Sequence, residues 1–358
     1  MINGSILDLK IFRFSLFCAF FLLLGAFPKS AFSQEGPKDA KEKAKEAILE
    51  HIADSHSWPV IGKTSIPLPV ILFTDKGFEL FSSANVKEEE VNDELVRKTY
   101  QGAYYTYTAE HDKIKVVDGS GNIDEAATKK IWDFSITRNV VSLWMSGILL
   151  MLVFFSISSA YKKREGKAPK GLQSFIEPLI VFVRDDIAIP NMGLKYVRFM
   201  PLLLTIFFFI LINNLIGIVP FFPGGYNLTG NIAVTATLSV IILFVVNLNG
   251  NKYYWKHIFL PSVPFWIVPI MWIVEIVGIF SKPIALMIRL FANMTAGHIV
   301  ALSLISLIFI FGTLWVSPVS VAFVVFMDVI EVLIAFLQAY IFSLLSSLFI
   351  GMAIEEHH

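Results

Sequence analysis

The sequence has almost no cysteine and no net charge. Cys18 is the only cysteine among 358 residues, so a disulfide framework is excluded. Lysine and arginine together number 29, as do aspartate and glutamate, so there is no overall basic field of the kind that binds nucleic acid. Charge is also scarce over most of the chain, because 32 of these 58 charged residues lie between Gln34 and Asp133.

Apolar residues are abundant instead. Hydrophobic residues make up 55% of the chain, 33 of them phenylalanine, and the mean hydropathy is +0.67. Several apolar runs approach or exceed the roughly 20 residues that a helix needs to cross a bilayer. The composition therefore predicts an all-α polytopic membrane protein with one small polar N-terminal segment.

The beginning of the chain has the pattern of an export signal. Lys10 and Arg13 precede the apolar run FSLFCAFFLLLGAF (14–27), and Ala31-Phe32-Ser33 resembles a cleavage site with small residues. We expect a signal peptide over 1–33, an exported segment over 34–133 and a membrane domain over 134–358. The alternative is an uncleaved first span, which would also place residues 34–133 outside the cytoplasm.

The exported segment has a mixed α/β pattern. DAKEKAKEAILEHIADSH (39–56) is typical of a charged amphipathic helix, and YYTYTAEHDKIKVVDGSGNID (104–124) predicts short strands around a Gly-Ser-Gly turn. His51, His56 and His111 could in principle bind a metal, but their spacing fits no familiar site. We expect them to be solvated surface residues, and we assign this segment no chemistry, cofactor or metal.

Five membrane spans are expected after the exported segment. Residues 161–198 contain eight lysines and arginines, which the positive-inside rule places in the cytoplasm. SFIEPLIVFVRDDIAI (174–189) within that loop is typical of a helix that lies along the membrane interface. The predicted spans cover residues 139–160, 199–222, 231–248, about 262–312 and 318–354. This topology puts the N-terminal segment outside and the C-terminus inside.

The last two spans are longer than one perpendicular crossing requires. At about 1.5 Å per residue, each exceeds the thickness of the hydrocarbon core. We therefore expect strong tilt, of the kind that packing against a large curved partner would enforce.

Few ionisable residues lie inside these spans. A charge at a helix centre costs several kcal/mol and normally faces a cavity or a partner. Lys282 lies near a probable helix end and could simply extend to the interface. Arg289 has no helix end nearby. Asp328 and Glu331 could be satisfied by hydroxyls and water at a helix mouth. The polar residues of the last two spans are Glu275, Lys282, Arg289, Asn293, His298, Asp328, Glu331 and Gln338.

Helical geometry separates these residues along the first of the two spans. Asn293 is one turn beyond Arg289, on the same face. Glu275 is fourteen residues earlier, about 40° from the Arg289 direction and roughly 21 Å toward the cytoplasm. His298 is nine residues later, about 180° around the helix and roughly 13 Å toward the outside. The spacing indicates two separate polar routes with a cation between them.

The last span runs antiparallel and has a matching pattern. Glu331 and Gln338 are seven residues apart on nearly one face, with Glu331 about 10 Å nearer the outside. If Gln338 lies beside Arg289, Glu331 falls near the level of His298. Because histidine titrates near neutral pH, a pair of these two residues could relay protons, and Asp328 would extend the route.

SKPIALMIRLFANMTAGH (281–298) together with LQAYIF (337–342) resembles the signature of subunit a of F-type ATP synthases, the proton-channel subunit of the membrane sector. The similarity extends through LINNLIGIVP (211–220) and covers roughly residues 130–358. Residues 34–133 are longer than the usual extension of that family and lie outside the resemblance.

The resemblance implies a non-catalytic, stationary proton channel in a bacterial inner membrane, beside a rotating ring of c subunits and with b-type peripheral stalk subunits. Arg289 would match the essential arginine, with Gln338 and Asn293 beside it. Glu275 would match an acid of the cytoplasmic half-channel.

His298 and Glu331 would match two positions of the outer half-channel. Many bacterial members carry an acid at the first of these positions and a histidine at the second, so the two residue types are exchanged here. Where some relatives have an aspartate in the first outward hairpin, this chain has Gly217, so its outer route would depend more on Asp328 and Glu331.

Three other function classes are alternatives to this one. A secondary transporter would also use charges at the membrane midplane, but the sequence has no apparent inverted repeat. A flagellar-type stator would couple ion flow to rotation through one critical aspartate near a short span. A membrane scaffold with buried ion pairs would be expected to place an acid next to Arg289 on its own helix.

Overall fold

A computed structural model describes residues 54–355, apart from 62–63, 87–88, 92–93, 97, 111–112, 220–223, 225, 227, 261–262, 265 and 312–315. The expected signal peptide, the amphipathic helix predicted to begin at Asp39, and both His51 and His111 lie outside the described residues. Within the described part, residues 296–331 form one compact unit and the other residues form a second.

The described residues between 54 and 137 consist mainly of short antiparallel strands. The strands are β1 (Ser57–Ile61), β2 (Thr64–Pro67), β3 (Pro69–Thr74), β4 (Gly77–Ser82), β5 (Glu89–Val91), β6 (Glu94–Val96), β7 (Thr99–Gln101), β8 (Thr106–Glu110), β9 (Lys113–Val117) and β10 (Trp132–Asp133). Within these described residues they form four small sheets, β1-β2, β10-β3-β4, β5-β6 and β7-β8-β9, and one helical turn, α1 (Glu125–Thr128), follows β9.

A buried carboxylate joins two of these sheets. Glu79 on β4 accepts hydrogen bonds from the Tyr107 hydroxyl at 2.8 Å and from the backbone NH groups of Ala103 at 3.1 Å and Tyr104 at 3.0 Å. Burial and the Glu79 carboxylate both raise the pKa of Tyr107. A side chain at Gly102 would collide with the Glu79 carboxylate, so this close approach requires glycine. The strand-rich part therefore has its own polar centre within an apolar core.

The expectation that His56 is a solvated surface residue was wrong. His56 is only 8% exposed, and its Nε2 atom lies 3.4 Å from Oδ2 of Asp133. Burial by itself would raise the pKa of Asp133, but the neighbouring His56 and Ser135 outweigh it and hold that pKa below its ordinary value. The sequence could not indicate the contact between His56 and Asp133. Asp133 lies on β10, which pairs with β3 although 58 residues along the chain separate the two strands.

The strand-rich part is connected directly to the first membrane helix, α2 (Arg138–Lys163). The backbone NH of Arg138 donates to Ser55 O at 2.9 Å, and its Nε donates to Ser57 O at 3.3 Å. The NH of Asn139 donates to Oδ1 of Asp54 at 3.1 Å, which satisfies one of the free donors of the first turn. The Arg138 guanidinium also lies 5.2 Å from the centre of the Tyr226 ring. These contacts hold residues 54–57 onto the helix start.

The described residues from Arg138 onward are mainly helical. A π-helical turn (Val183–Ala188) joins α3 to α4, and a 3-10 turn (Gly193–Lys195) joins α4 to α5, so that helix continues with short breaks from Leu172 to Ile218. The helices are α3 (Leu172–Phe182), α4 (Ile189–Met192), α5 (Tyr196–Ile218), α6 (Ile232–Leu248), α7 (Lys252–Phe259), α8 (Val268–Phe311) and α9 (Val316–Ile354).

These helices confirm a mostly helical polytopic membrane protein. Within the described residues, α2, the stretch from α3 to α5, α8 and α9 are each long and apolar enough to cross a membrane. The helices α6 and α7 are bent by 99° from each other and together make a fifth candidate span. With 44 and 39 residues, α8 and α9 are about 66 Å and 58 Å long at about 1.5 Å per residue. Their tilt in the membrane stays a prediction.

The helix α5 forms the centre of the packed helices. Its residues Leu203, Phe207 and Ile210 are completely buried. They belong to one apolar core with Leu290 of α8 and Phe342 of α9. Because α8 and α9 both pack into this core, Arg289 and Gln338 are carried by helices that are anchored in it.

The end of α9 is also held in place. The carbonyl oxygen of Ile354 accepts hydrogen bonds from Nζ of Lys195 at 3.0 Å and from Nδ2 of Asn251 at 2.7 Å. A side chain at Gly351 would collide with the backbone oxygen of Asn191. Satisfying a free carbonyl at a helix end in this way fixes the axial position of α9 against α4 and α7.

Candidate functional site

Arg289 lies on the surface of α8, and its side chain is exposed in this chain. It forms no hydrogen bond or ion pair with any residue that the structure describes. The same helix buries Leu286, Leu290 and Met294 to 1% exposure each in the apolar core. Asn293, one turn beyond Arg289, is exposed as well. The helix therefore holds a cation and an amide together on a surface that this chain leaves open.

Gln338 lies on α9 and is nearly fully buried, at 3% exposure. Its neighbours Ala335 and Ala339 are completely buried. Among the described residues, Gln338 has no hydrogen-bond partner, and Arg289, Asn293 and Gln338 form no hydrogen bond with one another. Polar groups in a protein interior that lack a protein partner are usually hydrogen-bonded to ordered water, so this position is suited to water.

The residues predicted for the outer route lie on α8 and α9, within the unit of residues 296–331. Glu331 on α9 is only 6% exposed, and a Cβ at Gly297 of α8 would lie 3.4 Å from its Oε1 atom. His298 follows Gly297 and is half-buried. Asp328, nearly one turn before Glu331, is also half-buried. The structure thus brings Glu331 beside the residue that precedes His298.

A buried polar group on α5 was missed from the sequence. The Thr229 hydroxyl donates to Oδ1 of Asn214 at 2.5 Å, and Nδ2 of Asn214 donates to Ala335 O at 3.4 Å. Both polar residues are fully buried. The Thr295 hydroxyl of α8 donates to Gly230 O, 3.3 Å away. These contacts connect α5, the connection before α6, α8 and α9. The only sequence signal was the asparagine pair in LINNLIGIVP.

Glu275 has a partner that the sequence analysis did not assign. The Oε1 atom of Glu275 on α8 lies 3.5 Å from Nδ1 of His257 on α7. Lys282 is exposed on α8, with its Nζ atom 5.4 Å from the centre of the Phe349 ring. The helical repeat of α8 cannot indicate this pair, because His257 lies on a separate helix that follows the bend after α6.

No group of three or more histidine, cysteine, aspartate or glutamate side chains within the described ranges could hold a metal ion. The candidate residues lie on α7, α8 and α9. The sequence predicts that Arg289 groups with Asn293 and Gln338, and that Glu331 groups with Asp328 and His298. The structure adds His257 beside Glu275.

Comparisons with known proteins match two parts of the chain. The family described as ATP synthase A chain matches residues 140–351, and a domain of unknown function, DUF8433, matches residues 47–134. The first match includes every residue of the candidate site, and the second covers most of the strand-rich part.

Curated relatives show the same similarity. ATP synthase subunit a of Chloroherpeton thalassium is 50% identical over 233 residues, 63% of this chain and 69% of the relative. That of Pelodictyon phaeoclathratiforme is 45% identical over 238 residues, 63% of this chain and 68% of the relative. That of Myxococcus xanthus is 42% identical over 233 residues, 63% of this chain and 75% of the relative.

Proposed function

This chain belongs to the ATP synthase A chain family, and from this premise we propose that it is the stationary proton-conducting subunit of an F-type ATP synthase. In this proposal two offset half-channels load and unload the carboxylates of a rotating c-ring, so that proton flow drives ATP synthesis. The ATP chemistry itself lies on other subunits. As a family member, the chain is a proton-translocating, multi-pass membrane component of the ATP synthase complex.

The observation that carries the proposal is the exposed, unpaired Arg289 within a long apolar helix. A guanidinium remains charged at any physiological pH. Because a charge in hydrocarbon costs at least about 2.5 kcal/mol, Arg289 needs an anionic partner there. The described part of this chain supplies none. A carboxylate on a neighbouring subunit that passes Arg289 would meet this need, with Asn293 and Gln338 as polar neighbours.

The outer half-channel is assigned to Glu331, Asp328 and His298. The assignment is supported by the burial of Glu331 beside Gly297 and by the half-buried positions of Asp328 and His298. Asn214 and Thr229 add fully buried polar atoms next to α9, at Ala335, one turn from Glu331. Buried polar groups of this kind provide sites for ordered water, through which protons can move.

The inner half-channel is assigned to Glu275, with His257 as an added member. Glu275 precedes Arg289 by fourteen residues on one continuous helix, roughly 21 Å along its axis. His298 follows Arg289 by nine residues, roughly 13 Å in the other direction. In this proposal the inner and outer groups lie on opposite sides of the cation, which is the arrangement that offset half-channels need.

The mechanism follows from the cost of charge in lipid. A c-subunit carboxylate stays protonated while it faces lipid. A proton from the outer route neutralises one carboxylate, which then rotates away, while a neighbouring carboxylate releases its proton toward Glu275. Arg289 attracts that anion and repels protons, which prevents direct flow between the half-channels. Each proton supplies about 2.3 kcal/mol per 100 mV, so a few protons can support one ATP synthesis.

Placement in the cell is part of the same proposal. We place residues 1–33 as a signal peptide, residues 34–133 in the periplasm and the membrane domain 134–358 in the bacterial inner membrane, with the C-terminus in the cytoplasm. The c-ring and b-type peripheral stalk subunits are the proposed protein partners.

The deciding experiment substitutes the cation. In inverted membrane vesicles that carry the whole complex, Arg289→Ala is expected to abolish proton-driven ATP synthesis, while ATP hydrolysis by the soluble head stays measurable. Lys282→Ala is the matched control, because it removes an exposed cation seven residues earlier on the same helix. Coupled synthesis at the wild-type rate in Arg289→Ala would contradict the proposal.

A second experiment tests the outer route. The double exchange His298→Glu with Glu331→His should retain more ATP-driven proton pumping than either single change, because it restores one acid and one histidine. Equal loss in all three variants would show that the two residues do not act together.

A further inference from the structure

The sheet β10-β3-β4 is apolar on both of its faces. Antiparallel sheets at a surface usually bury one face and expose a polar one. Here Val70, Leu72 and Phe81 on one face belong to the core of the strand-rich part. The opposite face carries five large apolar side chains that are each 49–69% exposed, namely Phe73, Phe78, Leu80, Trp132 and Phe134. We call these five residues the aromatic face.

The strand register accounts for this grouping. Trp132 pairs with Phe73 across β10 and β3, and Phe73 pairs with Phe78 across β3 and β4. Residues directly opposite each other in neighbouring strands point to the same side of a sheet. The ring centres of Phe73 and Phe78 are 5.1 Å apart, and those of Phe73 and Phe134 are 5.6 Å apart. The aromatic face is therefore one contiguous surface.

This surface is fixed close to the start of a membrane helix. Phe134 precedes Arg138, the first residue of α2, by four residues, a distance of at most about 14 Å along the chain. The intervening chain stays hydrogen-bonded to β3, because Phe134 N donates to Ile71 O and Ile136 N donates to Pro69 O. The first turn of α2 is also hydrogen-bonded to Asp54 and Ser55. No flexible linker separates the sheet from the helix.

The length of α2 places its first residue at the membrane surface. Its 26 residues span about 39 Å, which is more than the roughly 30 Å hydrocarbon core, so both ends reach the headgroup regions. Lys162 and Lys163 occupy one end, and Arg138 occupies the other. The exposed side chains of α2 include Leu143, Trp144, Ile148, Leu152 and Phe155, so this helix presents apolar surface along its length.

We propose that the aromatic face rests on the lipid surface and that its rings lie at the headgroup level beside α2. Tryptophan favours this interface, where its apolar ring meets lipid and its N–H meets water. The phenylalanine and leucine side chains add apolar surface for lipid to cover. Contact with lipid removes five large apolar side chains from water without a protein partner. It also fixes the strand-rich part against the membrane beside the helix that it precedes. The inference depends on α2 crossing the membrane and not on the proton route.

Site-directed spin labelling of the full chain tests the proposal. In a Cys18→Ser background, a nitroxide is attached at Phe78→Cys or Leu80→Cys, with Ser120→Cys as the control in the exposed turn at 118–122. The chain is reconstituted in phosphatidylcholine–phosphatidylglycerol vesicles, and collision rates with oxygen and with a water-soluble nickel chelate are measured. Labels at 78 and 80 should favour oxygen, and the label at 120 should favour nickel.

Two results would overturn the proposal. Strong nickel collisions at both 78 and 80 would show a solvated face. Weak collisions with both reagents would show that protein covers it, either another segment of this chain or a second subunit. Using two separate label positions guards against one variant that misfolds. Repeating the measurement in the intact ATP synthase must give the same oxygen preference, and loss of oxygen access only in the complex would identify a subunit interface instead.

Discussion

The carboxylate of Glu331 on α9 lies against Gly297 on α8, so that a Cβ at position 297 would be 3.4 Å from Oε1. The absence of a side chain at 297 lets the buried acid approach α8 next to His298. Glycine in the middle of a helix costs roughly 0.5–1 kcal/mol relative to alanine, so this position has a local cost that the close approach explains.

The first prediction concerns that contact. Gly297→Leu should displace the Glu331 carboxylate, because overpacking costs about 1–3 kcal/mol. A displaced carboxylate cannot relay protons efficiently, so we expect ATP-driven proton pumping in vesicles to fall. Gly297→Ala is the matched control, because one methyl group reaches ordinary contact distance and should leave pumping near the wild-type rate. Equal pumping by both variants would show that the position of Glu331 does not matter for conduction.

The second prediction concerns the other end of the route. His257→Gln removes the partner 3.5 Å from Glu275. His257 is 67% exposed, and an exposed pair contributes about 0–1 kcal/mol, so proton release should slow by roughly two- to fivefold and not cease. Lys256→Gln, a neighbouring basic residue on α7, is the control. Passive proton conduction by vesicles stripped of the soluble head is the measurement, and identical rates in the two variants would remove His257 from the route.

The third prediction concerns the buried group on α5. Thr229→Val keeps the side-chain shape but leaves Oδ1 of Asn214 without its donor at 2.5 Å. An unsatisfied buried acceptor costs about 1–3 kcal/mol, so the thermal unfolding midpoint of the chain in detergent should fall. Thr237→Val is the control, since that hydroxyl donates only within its own exposed helix surface, to Ala233 O at 2.8 Å. If both variants unfold at the wild-type temperature, the Asn214 contact does not contribute to stability.

The fourth prediction concerns pH. The pKa of Asp133 is lowered in the folded chain. The ionised carboxylate therefore stabilises the fold at pH values above the ordinary carboxyl pKa, and this stabilisation is lost as the pH falls through the lowered pKa. Asp133→Asn should therefore destabilise residues 54–133 at neutral pH, and its difference from the wild type should shrink below about pH 4.

Hydrogen exchange of peptides from residues 54–133 in the full chain, corrected for intrinsic rates, measures this effect. Glu125→Gln, which removes an exposed carboxyl on α1, is the control and should show no such pH-dependent difference. A constant difference between Asp133→Asn and the wild type at all pH values would show that the carboxylate charge plays no part.

Much of the membrane part could be predicted because its signals are local. A run of apolar residues long enough to span a bilayer needs no knowledge of its neighbours, and the described helices match this expectation. Spacing on a continuous helix also translates directly into axial distance, from which Glu275 and His298 are predicted to lie on opposite sides of Arg289. The strand-rich part was harder, since its contacts join residues that are far apart in sequence, as with His56 and Asp133.

The sequence by itself determined the class of the protein, the apolar spans and the motif around Arg289, since these depend only on composition and on the helical repeat. The tertiary structure decided which polar residues meet. It placed His257 beside Glu275, Thr229 beside Asn214 and Glu331 beside Gly297. It also showed that the aromatic face of the sheet β10-β3-β4 is exposed. Partners on different elements are selected by packing and by the bends between helices, and neither is encoded in the periodicity of a single segment.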